Sequence, residues 1–412
     1  MSSKQTTDVV IIGAGPSGSV AAAYLATRGY AVEVVERAHF PRFSIGESLL
    51  PQSMSLLDEA GLLEHVNAGQ FQYKDGAVFR RGDEEQSLDF HDKSAMGWDT
   101  TFQVRREVFD QILANGAAAK GARVTFGEEV TRFVQGDDGV RLNVRGDNGA
   151  EREIEAKFAL DASGFGRVLA RLLALDKPSD FPVRKAVFSH VRDNIDDPTF
   201  DRNKILISIH PTNKSIWYWL IPFTGGLSSI GVVGPQEDLD RAGSDPQSQL
   251  FNLIGQSGRM HDLLALSEQV RPTGTLGGYA CNVDRLCGDR YALLGNAAEF
   301  LDPVFSSGVT IALKSAILAG RALDRQFKGE QVDWEADFEA PLKLGVNAFR
   351  AYVEAWYDGS LQEIIFAQPK RATDVKRKII SVLAGYAWDT SNPFVVDPKR
   401  HLAQVRQLGR DM

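Results

Sequence analysis

Cysteine is scarce: Cys281 and Cys287 are the only two in 412 residues. A disulfide framework or a cysteine-rich metal site is therefore excluded, and a reducing cytoplasm is the expected compartment. Positive charge is not in excess either. Lys and Arg number 46 against 54 Asp and Glu, for a net charge of −8, which speaks against a nucleic-acid partner that would need clustered cations for phosphate. Seven histidines are scattered with no His-x-x-x-His pair, and neither Gly-x-Ser-x-Gly nor a P-loop occurs. Zinc, serine-hydrolase and P-loop chemistries thus have no footing. Long apolar runs are also wanting. Residues 9–27 are uncharged, but Gly13, Gly15, Pro16, Ser17, Gly18 and Ser19 stand where a spanning helix would carry large apolar side chains. Asp8 interrupts the basic region of a signal peptide. No transmembrane segment is expected.

What is present is an ordinary globular composition, 43% hydrophobic and 24% charged. This length supports two or three core-bearing units. Residues 8–12 form a β-branched run suited to a strand buried on both faces. Gly13-Ala14-Gly15-Pro16-Ser17-Gly18 follows as a turn, then an Ala-rich helical stretch to residue 27, then a second strand over 31–36. This is a βαβ unit carrying a dinucleotide fingerprint. Gly13 permits the tight turn, Gly15 lets backbone approach a pyrophosphate, and Gly18 allows helix and strand to pack closely. Glu36 ends the second strand, 18 residues past Gly18. There its carboxylate can accept hydrogen bonds from a ribose and excludes a 2′-phosphate.

Farther on, residues 106–120 have helical spacing, residues 70–104 alternate short extended runs with turns, and residues 122–160 read as a hairpin group. From about 180 to 280 the composition becomes strand-like, residues 291–295 return to a buried strand, and 309–323 carry the apolar stripe of a core helix. The expected fold class is α/β: a Rossmann-like domain, an inserted antiparallel β-sheet substrate domain and a helical C-terminus.

Five blocks in order carry a resemblance to a known family. After Glu36 comes Phe40-Pro41-Arg42-Phe43-Ser44-Ile45-Gly46-Glu47-Ser48, then Gln103-Val104-Arg105, Asp161-Ala162-Ser163-Gly164, and the block Gly295-Asn296 to Asp302-Pro303 to Ser306-Ser307-Gly308-Val309. Together with the glycine turn they resemble the flavin-dependent halogenase and geranylgeranyl-reductase branch of the FAD monooxygenases, which have the hydroxybenzoate-hydroxylase fold. The resemblance implies FAD as cofactor. It would be held by Gly13, Gly15, Ser17, Gly18, Glu36, Arg37, Arg42, Gly46, Glu47, Ser48, Arg105, Asp161, Asn296, Pro303, Ser307, Gly308 and Val309. It also implies chloride or another halide beside Ser306, Ser307 and Gly308. Asn296 stands where the family usually has Asp, so a contact with the flavin ribityl chain can persist without its charge. The implied domains are an FAD-binding domain over 1–180 with a short β insert at about 70–104, a substrate sheet over 181–285, a return to the FAD domain over 286–330, and a helical region over 331–412.

Which flavin chemistry follows is less determined. Trp217-Tyr218-Trp219-Leu220-Ile221-Pro222 resembles a halogenase motif in which two tryptophans shield the flavin, though Ile216 replaces the expected glycine. Period-two spacing fits plain core packing as well. Lys74 sits where phenol- and pyrrole-type halogenases have a lysine that relays the halogen. That chemistry needs a desolvated amine, and a solvated lysine beside the Asp75-Gly76 turn is the other reading. Many halogenases also carry a long C-terminal extension that 412 residues do not provide. Phe349, Tyr352, Trp356 and Tyr357 read as a pocket lining or as a core stripe. Three reactions therefore share the scaffold: halogenation or hydroxylation of an aromatic or polyene small molecule by reduced flavin and oxygen, and reduction of an apolar double bond. A non-catalytic FAD-binding protein is a reading of another class. A separate flavin reductase would be a partner of the first.

Overall fold

The computed structural model describes residues 4–367 and 373–410. Residues 1–3, 368–372 and 411–412, at the edge of the expected FAD domain and within the expected helical C-terminal region, lie outside the described residues.

Two large sheets organise the chain. The first has Lys4–Ile12 at its centre, parallel to Val32–Glu36 on one side and Glu151–Asp161 on the other. Arg123–Phe126 extends it beyond Val32–Glu36, and Tyr291–Leu293 extends it beyond Glu151–Asp161, both in parallel. The helix Pro16–Ala26 crosses from the central strand to Val32–Glu36. Val9, Val10 and Ile11 are fully enclosed, which explains why the strand reads as an unbroken apolar run. The hairpin expected over 122–160 is present as Glu128–Gln135 against Val140–Gly146. Its first segment, Arg123–Phe126, instead joins the parallel sheet.

The second sheet contains Arg184–Arg192, Leu227–Pro235, Trp217–Pro222 and Lys204–Ile209 in antiparallel succession. Gly76–Arg81 then pairs in parallel with Lys204–Ile209, and Glu84–Asp89 closes the edge. The stretch expected as a short insert in the FAD domain therefore extends the second sheet, pairing Gly76 with Lys204 far along the sequence. Sequence periodicity carries no information about such a long-range partner.

Both faces of this sheet are covered, so nearly every residue of its central strands is buried. Alternation decides the destination of each side chain. Ile205, Ile207, Trp217, Trp219 and Ile221 join the main core. Leu206, Tyr218, Leu220, Ile230 and Val232 pack into a second core with the helix Pro246–Ile254. Two long helices, Ser307–Phe327 and Ala340–Tyr357, pack on each other and finish the main core. No helix among the described residues is long and apolar enough to cross a membrane.

Candidate active site

The principal cleft, about 360 Å³, runs from the Gly13 turn to the second sheet. At its first end the helix Pro16–Ala26 begins at Gly15, and no side chain caps its free N–H groups. Those groups and the helix dipole make an anion site. Gly13 has φ +101°, and a Cβ there would meet the Ala162 carbonyl oxygen at 2.6 Å. A Cβ on Gly18 would come within 1.9 Å of the Gly13 carbonyl oxygen, so Gly18 is a packing requirement of the turn. Gly15 differs from both. Only the Arg42 Nη2, at 3.5 Å, approaches it, leaving its backbone open to a ligand.

Glu36 is anchored by the backbone N–H groups of Ala14 and Ala38, each at 2.8 Å. Both Glu36 and Arg37 line the cleft. Arg42 lies 4.0 Å from Glu36 and 3.2 Å from Asp110. Asp110 is wholly buried and also receives the Arg106 guanidinium through Nε at 2.7 Å and Nη2 at 3.0 Å. One carboxylate thus orients two arginines that both line the cleft.

At the second end, Ser306 adopts a left-handed conformation (φ 56°) and opens the 21-residue helix Ser307–Phe327, again without a side-chain cap. Ser306, Gly308, Val309, Pro303 and Asn296 face the same cleft. Two uncapped helix N-termini, one at each end of an elongated space with an anchored carboxylate and two arginines, fit an extended dianionic dinucleotide. FAD has that form, and the second terminus would stabilise negative charge on a reduced flavin ring.

Gly46, Glu47 and Ser48 form one wall. Glu47 is buried and pairs with His190 Nε2 at 2.7 Å. Trp217 and Trp219 form another wall, their ring centres 5.9 Å apart. The Trp219 indole donates to Ser229 at 3.0 Å and lies flat over Gly231, where any Cβ would strike the ring at 2.3 Å.

Lys74 is 1% exposed. Its Nζ donates to Ser48 Oγ at 2.7 Å and to the Leu49 carbonyl at 2.8 Å, and sits 5.2 Å from the Phe90 ring centre. No acid pairs with it among the described residues. Burial drives its pKa down to about 7. The amine lines a small side cavity of about 20 Å³, and Ile205, Ile207, Val304 and Ser306 are shared between that cavity and the main cleft. The expected solvated turn is instead the paired strand Gln72–Lys74, against Thr101–Gln103, which turns the amine inward.

Several residues expected at the cofactor lie elsewhere. Arg105 is the residue before the helix Arg106–Ala119, 43% exposed in its side chain and 3.8 Å from Glu107. Its neighbour Arg106 faces the cleft instead. Helix phase gives the reason, because Arg106 shares the inward stripe of Phe109, Leu113 and Ala117. Asp161 is fully buried and does not line the cleft. Its carboxylate accepts from the backbone N–H groups of Ser163 and Leu169, at 2.9 and 2.6 Å, and so holds the loop whose residues 162–166 do line it. Ser307 is buried beneath Ser306 and Gly308 rather than on the cleft surface, and Gly18 is likewise behind it. Phe349, Tyr352 and Trp356 are core residues, and only Tyr357 approaches the cleft wall, through Trp217. Tyr279 and Phe300, not anticipated from sequence, also line the cleft. They belong to loops with no periodic pattern.

Comparison with known proteins agrees with this geometry. A family model described as "FAD binding domain" matches residues 6–337. A 1H-pyrrole-2-carbonyl-[peptidyl-carrier protein] chlorinase from Pseudomonas fluorescens is 30% identical over 96% of this chain and 92% of its own. Among solved structures, a flavoprotein/dehydrogenase from Cytophaga hutchinsonii is 42% identical, with a TM-score of 0.94 over 98% of this chain and 100% of its own. A flavin-dependent brominase is 25% identical, with a TM-score of 0.84 over 99% of this chain and 100% of its own. The chain belongs to the FAD-binding-domain family, in its flavin-dependent halogenase and monooxygenase branch, and is an FAD-dependent oxidoreductase.

Proposed function

We propose that the protein halogenates an electron-rich aromatic small molecule of pyrrole or phenol type, with Lys74 as the group that delivers the halogen. The observation that carries this reading is a buried amine with no acidic partner among the described residues, with four residues shared between its cavity and the main cleft. Bound FAD would supply the two-electron chemistry that lets oxygen oxidise halide. The residues of the chain then govern where that oxidant goes. Gly13 to Gly18, Glu36, Arg42 and Arg106 would bind and orient the cofactor. The Ser306–Gly308 corner, at a helix N-terminus, suits a halide ion. Trp217 and Trp219 exclude water and substrate from their side of the cleft. Ser48 and Leu49 hold the Lys74 amine in place, and its pKa near 7 leaves a large neutral fraction at neutral pH. A neutral amine attacks the halogen of hypohalous acid: the N–X bond forms, the O–X bond breaks, and the amine proton leaves with hydroxide as water. Transfer of X⁺ to a ring carbon, with loss of the ring proton, restores the amine.

The pyrrole chlorinase of P. fluorescens supports an aromatic heterocycle as substrate. The expected partners are halide and a separate flavin reductase, and the two free cysteines suit a reducing cytoplasm. The relative called a flavoprotein/dehydrogenase, and a side cavity of only 20 Å³, favour a second reading in which a double bond is oxidised or reduced in the main cleft. Product formation from a pyrrole or phenol probe, with reduced FAD, oxygen and chloride or bromide, separates the two. Anaerobic mixing with NADH or NADPH tests the reductase: flavin that bleaches only when a reductase is added supports it.

A further inference from the structure

Behind the tryptophan wall lies a buried polar chain that the reactions above do not use. The Trp217 indole N–H donates to Tyr357 Oη at 3.0 Å, and Tyr357 Oη donates to Asp302 Oδ2 at 2.8 Å. Tyr279 Oη donates to the same carboxylate oxygen at 3.1 Å, while the Val304 N–H donates to Oδ1 at 3.1 Å. Arg184 lies 3.4 Å above the centre of the Tyr357 ring and donates to the Ser215 carbonyl at 2.9 Å. The donors of Trp217, Tyr357, Tyr279 and Val304 all lead toward Asp302, the arrangement in which successive hydrogen bonds strengthen one another. Its members come from four distant segments: the second sheet, the loop at Tyr279, the loop before the helix Ser307–Phe327, and the last residue of Ala340–Tyr357. Both of its outer ends, Trp217 and Tyr279, line the cleft, and Pro303, next to Asp302, lines it too.

We propose that Asp302 and Tyr357 are positioning residues that lock the Trp217 indole in the cleft wall. Trp217 has no other polar anchor, and its ring is tilted 46° from that of Trp219. Without the Tyr357 hydroxyl, the N–H would be left buried and unpaired, and the ring would gain freedom to turn. The wall would then lose its fixed shape toward the flavin. This rests on FAD occupying the cleft and not on the halogenation reading, so the test uses readouts that need no halide.

Tyr357→Phe removes one hydroxyl and keeps the ring under Arg184, so the fold should hold. Asp302→Asn, Trp217→Phe and the Tyr357→Phe/Trp217→Phe pair complete the set. The first readout is hydrogen exchange of the indole N–H groups in FAD-loaded protein labelled with ¹⁵N-tryptophan, the Trp217 signal being the one absent in Trp217→Phe. Tyr357→Phe should raise that exchange about five-fold, matching the net worth of one hydrogen bond, and Asp302→Asn should raise it too. The second readout is the decay of flavin emission, which an indole held still in the cleft wall would quench. Tyr357→Phe should lengthen it, and the double variant should match Trp217→Phe alone. Unchanged exchange and emission in Tyr357→Phe, no emission change in Trp217→Phe, or additive emission changes in the pair would each overturn the proposal.

Discussion

The two ends of the active site are built on different principles. The main cleft is framed by local structure: a glycine turn, a helix N-terminus at each end and a strand-end carboxylate, all set by short stretches of chain. The Lys74 end is made of packing. Its amine is buried only because segments far apart in sequence close over it, with Phe79, Phe90, Phe305 and Leu383 lining the same small cavity. Local motifs therefore shape the cleft lining, whereas the burial of the Lys74 amine requires the tertiary structure.

The sharpest way to break this comparison is at Gly15. Its backbone has ordinary angles (φ −67°), and only Arg42 comes near. Gly15→Val should therefore fold normally yet purify colourless, because the new side chain fills the space left for the pyrophosphate. A yellow protein would mean that the turn does not hold the cofactor. The complementary variant is Lys74→Ala. It should keep FAD, with an unchanged visible spectrum, while product formation falls on the order of 10²–10⁴-fold. Undiminished turnover would remove Lys74 from the chemistry.

Legibility followed the same division. The place of the turn, Glu36 and the Gly46–Ser48 loop in the cleft lining is legible in the sequence, because their residue types are dictated by local backbone geometry. Arg106, not Arg105, lines the cleft. Motif matching alone did not phase the helix, and the stripe of Phe109, Leu113 and Ala117 would have selected Arg106. The burial of Lys74 was not legible, since the pairing of Gln72–Lys74 with Thr101–Gln103 leaves no periodic trace in a three-residue strand. Nor was the parallel pairing of Gly76–Arg81 with Lys204–Ile209, which closes the sheet over the site. The tryptophan motif was ambiguous for a physical reason: a strand buried on both faces satisfies core packing and a cleft wall with one pattern. Tyr279, Tyr357 and Asp302 came together only through the fold.

The arginines at the cofactor end offer a smaller contrast. Arg106→Ala strands the buried Asp110 charge with only Arg42 nearby. It should destabilise the protein by about 3–5 kcal/mol and weaken FAD retention. Arg105→Ala, at an exposed position, should cost no more than about 0.5 kcal/mol. Thermal melting and FAD titration check both, and a larger loss of FAD binding from Arg105→Ala than from Arg106→Ala would place the functional arginine at 105.

The least dramatic expected effect concerns pH. Burial holds the Lys74 amine near 7 in the folded protein, against 10.5 for an unperturbed lysine. Between those values the unfolded chain binds more protons, so the cost of burying Lys74 is full below pH 7 and fades as pH rises toward 10.5. Lys74→Met, which keeps the bulk, should therefore gain in melting temperature over the wild type most at pH 6 and least at pH 10. A gap independent of pH would show that the amine is not depressed. Turnover, by the same logic, should rise through pH 7 as the amine becomes neutral.

The most direct test of the account is mass spectrometry of products from a pyrrole or phenol probe. The reactions would contain reduced FAD, oxygen and either chloride or bromide, with wild-type protein and Lys74→Ala side by side. The expected result is a product whose mass follows the halide supplied and which disappears in Lys74→Ala while FAD stays bound. A product formed equally well without halide, or one that survives the loss of Lys74, would contradict it.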